Sequence, residues 1–289
     1  MYQKIVNQKN LEEAYFKIAS DMELDGRLAR YRGWDSLRLA DLELEAYDII
    51  KQALEELKEL QVIAPAVLFK IPKKSNPQKM REIYIYNLKD RIKAQAIYQI
   101  IEPVFNEFFS PYLFSYRSSH ASYFAARSTV RHYLKYWPRD QVLIGDLSDY
   151  SNYIQPDKLK AKLEQLPIDK KTISLLHLFI DNPVVRDGKV EYPQAGLVQG
   201  VPLIALFNNL YLDEFDKQTG PKVDFYRRVG DDLLVFDRNK DKLLNIRENL
   251  LRQVEELGPK INTEKSGLKK AAAGFNFLGY HFQAGLVSL

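Results

Sequence analysis

Three aspartates in two settings are the residues of this sequence best suited to chemistry. Asp231 and Asp232 follow Gly230 between the apolar runs Phe225–Val229 and Leu233–Phe236. Each run reads as a β-strand, so both carboxylates fall at or beside a hairpin turn, where Gly230 is free to take a positive φ. Adjacent carboxylates repel one another, a divalent cation relieves that repulsion, and hard cations such as Mg²⁺ prefer carboxylate oxygens. An acid pair in a turn is, by itself, usually no more than a solvated turn. Asp146 changes that reading: it ends the apolar run Gln141-Val142-Leu143-Ile144-Gly145, as expected of a buried strand that delivers a carboxylate to its exposed end. A strand ending in Asp, followed by strand, Gly-Asp-Asp and strand, is the arrangement with which nucleotidyl transferases hold two metals about 3.5–4 Å apart.

Other elements must position these strands. Leu44, Tyr47, Ile50, Leu54 and Leu57 fall near helical spacing over residues 41–60. An extended stretch from Val62 to Ile71, a basic polar loop Lys73–Arg81 and an alternating strand Glu82–Tyr86 together read as a basic β-hairpin. A helix with Ile92, Ala96, Ile100, Val104 and Phe108 on one face follows Asn87, with a kink expected at Pro103. Residues 157–166 and 169–180 are expected as helices, Val184–Val190 as a hairpin with an Asp-Gly turn, Pro202–Phe215 and Lys242–Leu257 as helices, and Phe275–Phe282 as a final strand. This order suits an α+β sheet with helices on one face and the three acids on the open one.

The chain of 289 residues can bury a substantial core, with two lobes as the natural expectation. Its 42 Lys and Arg against 38 Asp and Glu give a formal charge of only +4, which permits a nucleic-acid partner without requiring one. There is no cysteine, so disulfides, thiolate zinc sites and cysteine nucleophiles are excluded. The N-terminus lacks the apolar core, about 7–15 residues, of a signal peptide, and no stretch approaches the roughly 18 apolar residues of a membrane span. The expectation is a cytoplasmic protein with no membrane partner. The four histidines show no metal-ligand spacing and read as structural.

From about Leu68 onward the chain resembles a prokaryotic reverse transcriptase of the group II intron type. Ile71-Pro72-Lys73 with Arg81 and Asp90-Arg91 resembles the fingers motif, and Phe114-Ser115-Tyr116-Arg117-Ser118 with His120-Ala121 the segment leading into the palm. Asp146-Leu147-Ser148-Asp149-Tyr150 resembles the first catalytic motif. Gly196-Leu197-Val198-Gln199-Gly200-Val201-Pro202-Leu203, continuing to Asn209-Leu210-Tyr211-Leu212, resembles the template and nucleotide motif. Asp231-Asp232, Asn262-Thr263-Glu264-Lys265 and Phe277-Leu278-Gly279-Tyr280 follow in the family's order.

The resemblance implies a right-hand polymerase with fingers over residues 1–112, comprising N-terminal helices and the basic hairpin. A palm over 113–289 would be an antiparallel, ferredoxin-like sheet backed by helices. Its implied activity is RNA-directed DNA synthesis with Mg²⁺, Mn²⁺ being able to substitute. Asp146, the Leu147 backbone and Asp231 would hold the metals, with Asp232 peripheral among the catalytic acids. Lys73 and Arg81 would meet the triphosphate, Arg81 through its planar fork. Leu147, Ser151, Gln199 and Gly200 would line the nucleotide site, Gly200 by letting backbone approach the nucleotide, and Lys265 would protonate the leaving pyrophosphate. The implied partners are an RNA template, a nucleic-acid primer and dNTPs.

Three departures from the family's pattern bear on function. Val229 stands where Tyr usually precedes the small residue and acid pair, and a Gly-Asp-Asp core is typical of viral RNA-dependent RNA polymerases. Ser151 stands where an aromatic residue usually blocks the ribose 2′-hydroxyl, so relaxed sugar selection is expected unless Tyr150 or Tyr153 fills the gap. The sequence stops about ten residues after Leu278-Gly279, so the thumb is expected from a C-terminal extension or a partner protein. Gln199-Gly200 argues against the diversity-generating type, and the retron tripeptide Val-Thr-Gly is missing. The chain is therefore placed with unassigned or antiviral-defence bacterial enzymes, including those linked to CRISPR or abortive infection. The alternatives are a polymerase that makes RNA or extends ends without a template, and a catalytically silent nucleic-acid-binding scaffold.

Overall fold

The structure is a computed structural model and describes residues 1–24, 33, 39–73, 76–117, 120–148, 150–258, 260–262 and 266–289. Helices α1 (Tyr2–Ile5), α2 (Gln8–Leu24) and α3 (Leu39–Lys58) precede strands β1 (Ala66–Lys73) and β2 (Asn76–Ile85). Next come α4 (Leu88–Phe108), α5 (Ser122–Tyr136), β3 (Gln141–Ser148), α6 (Pro156–Leu163), α7 (Lys170–Ile180), β4 (Val184–Arg186) and β5 (Lys189–Glu191). The remainder is α8 (Pro202–Thr219), β6 (Phe225–Val229), β7 (Asp232–Asp237), α9 (Lys240–Leu257), β8 (Lys260–Ile261), β9 (Gly267–Lys270), β10 (Phe275–Phe277), β11 (Tyr280–Gln283) and β12 (Leu286–Ser288). Among the described residues no helix is long and apolar enough to cross a membrane.

Two compact units form, Met1–Phe105 with Pro156–Leu206, and Asn106–Gln155 with Phe207–Leu289. They interleave along the chain. The cause in the first unit is a crossover: β4, more than a hundred residues downstream, pairs parallel with the start of β1 at Ala66↔Val184 and Val67↔Val185.

The first unit carries a sheet in the order β2-β1-β4-β5. Of the expected loop 73–81, Lys73 and Asn76–Arg81 are strand, because β1 and β2 stay paired from Val67↔Ile85 through Ile71↔Arg81 to Lys73↔Asn76, with a bulge at Pro72/Lys73. The β4–β5 turn is the expected Asp187-Gly188, both at positive φ (49° and 76°), as a type I′ hairpin requires. Helix α7 starts where Asp169 accepts from the Thr172 backbone N–H at 3.0 Å, an N-cap that satisfies an otherwise orphan donor. The core of this unit includes Ala14, Ala53, Leu57, Ile97, Ile101, Leu176 and Phe179, all essentially inaccessible to solvent.

The second unit is built on an antiparallel sheet in the order β6-β7-β3-β8, with β9 also paired to β3. Val142 and Ile144 of β3 join Leu234 and Phe236 of β7 in one core with Tyr133 of α5 and Phe275, Phe277 and Phe282. The face expected to be open is thus covered along these rows, because the aromatic C-terminal strands fold over it. Residues 275–282 are a hairpin rather than one strand: Phe277 pairs with Tyr280 around Leu278-Gly279, both at positive φ (50° and 83°). A leucine at the first turn position hides that turn from a reading of the sequence.

Candidate active site

Strand β3 pairs β7 from Gln141↔Asp237 to Asp146↔Asp232, and β6 pairs β7 up to Val229↔Asp232. Gly230 and Asp231 are therefore a two-residue turn, as the sequence indicates. Gly230 has φ +64° with nothing within 4 Å of where a Cβ would lie, so glycine is needed there for conformation and not for space. The Leu147 N–H donates to the Asp231 carbonyl at 3.1 Å. That bond flanks Asp146↔Asp232 and makes it the closer, non-hydrogen-bonded kind of antiparallel pair, with Cα atoms roughly 4.5 Å apart and side chains on one face. Asp232, expected as peripheral, is thus the direct register partner of Asp146. Asp231 stands one step out in the turn and is exposed.

The Asp146 backbone is held on both sides. Its N–H donates to Ser266 Oγ at 2.9 Å, and its carbonyl accepts from the Asn262 N–H at 2.8 Å. Asn262 opens the segment expected to carry Lys265. Lys265 itself lies outside the described residues, as does Asp149.

Beneath the turn lies a buried network that sequence reading did not assign. Arg228, wholly inaccessible, donates through Nε and Nη2 to the Asp216 carboxylate at 2.7–2.9 Å, through Nη1 to the Gly230 carbonyl at 2.9 Å, and through Nη2 to the Asn209 carbonyl at 3.1 Å. The Tyr226 hydroxyl adds a bond to Asp216 at 2.6 Å. Burial opposes the Arg228 charge, but the Asp216 carboxylate outweighs it and holds the guanidinium above its ordinary pKa. Asn209 also exchanges bonds with Ser115, at 3.0 Å to its hydroxyl and 2.8 Å to its carbonyl. Arg117 folds residues 106–117 by donating to the carbonyls of Asn106, Ser110 and Leu113. The residues Ser115, Arg117 and Asn209 of the recognised motifs therefore brace the acid hairpin. The one sequence signal for Arg228 was a charge two positions from Tyr226, on the inward face of a strand whose other arginine, Arg227, falls on the opposite face.

Ser151 is buried in a short 3-10 turn, Tyr150–Tyr153, and its Oγ accepts from Asn208 Nδ2 at 2.7 Å. The Tyr150 hydroxyl donates to the Asn208 carbonyl at 2.8 Å, which commits that ring to α8 rather than to the space beside Ser151. Asn208 Oδ1 is a buried acceptor with no hydrogen-bond partner among the described residues. Buried polar atoms are normally paired, so this one marks a place for an external donor.

The remaining candidates belong to the first unit. Gln199 is exposed, and Gly200 has φ +141° with its absent Cβ only 2.5 Å from the Tyr84 carbonyl. The end of β2 thus packs closely against Gly200. The Tyr86 hydroxyl fixes the same loop by donating to the Val198 carbonyl at 2.6 Å. Lys73 and Arg81 are placed by backbone in the β1–β2 ladder, and their side chains lie outside the described residues. Asp90 is buried, accepting from the Ala64 N–H at 3.2 Å and paired with buried Lys93, so its part here is structural.

Among the described residues no three or more His, Cys, Asp or Glu form a ready-made metal cage. Mg²⁺ seldom needs one: it is usually bound through one or two carboxylates together with substrate phosphates. Two opposed carboxylates, a third in the adjoining turn and nearby backbone carbonyls are all hard oxygen donors, and that donor set fits Mg²⁺.

Comparison with known proteins agrees with this geometry. Residues 71–282 match the family described as Reverse transcriptase (RNA-dependent DNA polymerase). Protein YkfC of Escherichia coli strain K12 is 24% identical, over 75% of this chain and 66% of that protein. Apo telomerase from Candida tropicalis, truncated from its C-terminal domain, superposes with TM-score 0.58 at 17% identity, covering 79% of this chain and 56% of the other. A second structure of apo telomerase from that organism gives TM-score 0.59 at 14% identity, covering 78% and 48%. The fold is that of polymerase fingers and palm, and the chain spans about half to two thirds of the length of these relatives.

Proposed function

Because this chain belongs to the reverse transcriptase (RNA-dependent DNA polymerase) family, we propose that it extends a primer 3′-hydroxyl with dNTPs on an RNA template. The observation that carries the reading is the Asp146↔Asp232 pair with Asp231 in the adjoining turn. Asp146 and Asp231, with Asp232 and the Leu147 carbonyl beside them, would hold Mg²⁺. Bound there, the metal supplies charge neutralisation on the triphosphate and acidifies the attacking hydroxyl.

The protein's own groups do the rest. Arg228 fixes the turn through the Gly230 carbonyl, so the carboxylates meet substrate already positioned, which is where much of a polymerase's rate arises. Lys73 and Arg81 would neutralise the phosphates, and Lys265 would give a proton to pyrophosphate. Grip on the far side of the duplex would come from a C-terminal extension or a partner. The bacterial relative supports a prokaryotic setting, and antiviral defence is the pathway proposed for this chain from its departures from the family's pattern.

A second reading, use of ribonucleotides, is favoured by one pair of residues. Asn208 Oδ1, with no partner among the described residues, is an acceptor beside Ser151 suited to a sugar hydroxyl. Both readings are tested by incubating the protein with Mg²⁺ or Mn²⁺, primed and unprimed RNA and DNA, and each set of labelled nucleotides, and sequencing the products. DNA copied from primed RNA is the expected result. No incorporation under any condition would return the chain to a silent nucleic-acid-binding scaffold.

A further inference from the structure

The outer face of α5 has no part in the site above. Its inward positions Ala125, Ala126, Thr129 and Tyr133 are buried, and Tyr133 meets Phe275 and Phe282 edge-on. On the opposite side Arg127, Arg131 and Lys135 recur every fourth residue, all exposed, and exposed Arg139 continues the row in the turn after the helix. The helix, Ser-Tyr-Phe-Ala-Ala-Arg-Ser-Thr-Val-Arg-His-Tyr-Leu-Lys-Tyr, contains no acid, so no i,i+4 partner neutralises these charges. Among the described residues none of the four side chains takes part in an ion pair. The nearest acid in sequence, Asp140, is buried and engaged by His132 at 2.8 Å. Lys135 and Arg238 both lie over the Tyr136 ring, at 4.9 and 5.7 Å. At the other end Tyr123 and Phe124 are 63% and 50% exposed and pack edge to face.

An ordinary solvated helix face mixes signs, as α9 does with Asp241, Glu248, Glu255 and Glu256 among its Lys and Arg. In a chain with a formal charge of only +4, an acid-free row of cations is a local concentration of charge. Helical rise sets these cations about 6 Å apart, a step that phosphates of an extended strand can follow. A cationic track bordered by exposed aromatic rings is the pattern that grips single strands by charge and base stacking. We propose that the outer face of α5 binds single-stranded nucleic acid, with Arg127, Arg131 and Lys135 on phosphates and Tyr123 and Phe124 against bases. The choice of occupant rests on the polymerase reading; the surface is separate from its carboxylates in sequence and in the contacts it makes.

The test is anisotropy of labelled, unstructured RNA and DNA 20-mers with the full chain over a range of salt. Arg127→Gln/Arg131→Gln/Lys135→Gln should weaken binding at least tenfold and flatten the slope of log K against log salt by about 2, near 0.7 for each lost phosphate contact. Tyr123→Ala/Phe124→Ser should weaken binding with the slope unchanged, and replacing the two arginines by lysine, Arg127→Lys/Arg131→Lys, with Lys135 kept, should retain the parent slope. A preference for RNA or for DNA supports the surface and identifies which strand it holds. Asp231→Asn should bind as the parent does, so a failure of catalysis is read apart from a failure of this surface. Unchanged oligonucleotide binding by the triple glutamine variant would overturn the proposal, as would loss of binding to anionic phospholipid vesicles with oligonucleotide binding kept.

Discussion

At the β6–β7 turn, Arg228 reaches from the buried side to the Gly230 carbonyl while Asp216 neutralises it, so the tip of that hairpin is tied to the core. The β1–β2 hairpin is fixed at its base instead, where Tyr86 bonds to Val198 and Gly200 lies against the Tyr84 carbonyl. Burial follows the same contrast: Leu233 to Phe236 are wholly inaccessible, whereas Lys70, Pro72, Gln78, Met80 and Glu82 are exposed. Metal-binding carboxylates need a fixed geometry, and a hairpin that meets a triphosphate needs only reach and charge. Under the proposed function, the two hairpins suit those different requirements.

The largest effect should come from removing the tie at the acid hairpin. Arg228→Met leaves Asp216 buried without its cation and should cost about 3–5 kcal/mol in denaturant unfolding, with part of the loss recovered by adding Asp216→Asn. A cost below about 1 kcal/mol would show that the turn does not depend on this pair.

A smaller effect separates the two glycines. Gly200→Ala forces a Cβ onto the Tyr84 carbonyl at φ +141° and should destabilise by about 1–3 kcal/mol. Gly230→Ala, with open space at φ +64°, should cost about 1–2 kcal/mol. If the order of the two were reversed in thermal melts, the tight base of the β1–β2 hairpin would not be as described.

The smallest change concerns selection rather than stability. Asn208→Ala removes the bond to Ser151 and the acceptor beside it, and should lower ribonucleotide use relative to deoxyribonucleotide use by roughly tenfold, the equivalent of about one hydrogen bond. Equal loss with both nucleotide sets would take Asn208 out of sugar recognition.

Much of this arrangement was legible in the sequence because it obeys simple periods. The apolar run into Asp146, the Gly-Asp-Asp hairpin, the helix over 169–180 and the helix from Pro202 all form as their patterns indicate. What escaped did so for physical reasons. Asn76 to Arg81 form strand although mostly polar, because backbone pairing needs no buried face at an exposed hairpin arm. Helix α5 presents alanines inward and cations outward, a weak apolar stripe. Arg228 looks like a surface charge until Asp216, twelve residues away, is folded against it. The parallel pairing of β4 with β1 leaves no local signal at all.

The central claim, that Asp146, Asp231 and Asp232 work together through metal at the end of this sheet, is tested most directly by single-nucleotide primer extension of Asp146→Asn and Asp231→Asn beside the parent, with Mg²⁺ titrated and thermal melts in parallel. Losing a metal ligand should remove several kcal/mol of transition-state stabilisation, a rate loss of about a thousandfold or more, with the melting temperature close to the parent's. Extension by either variant at the parent's rate and Mg²⁺ dependence would contradict the account.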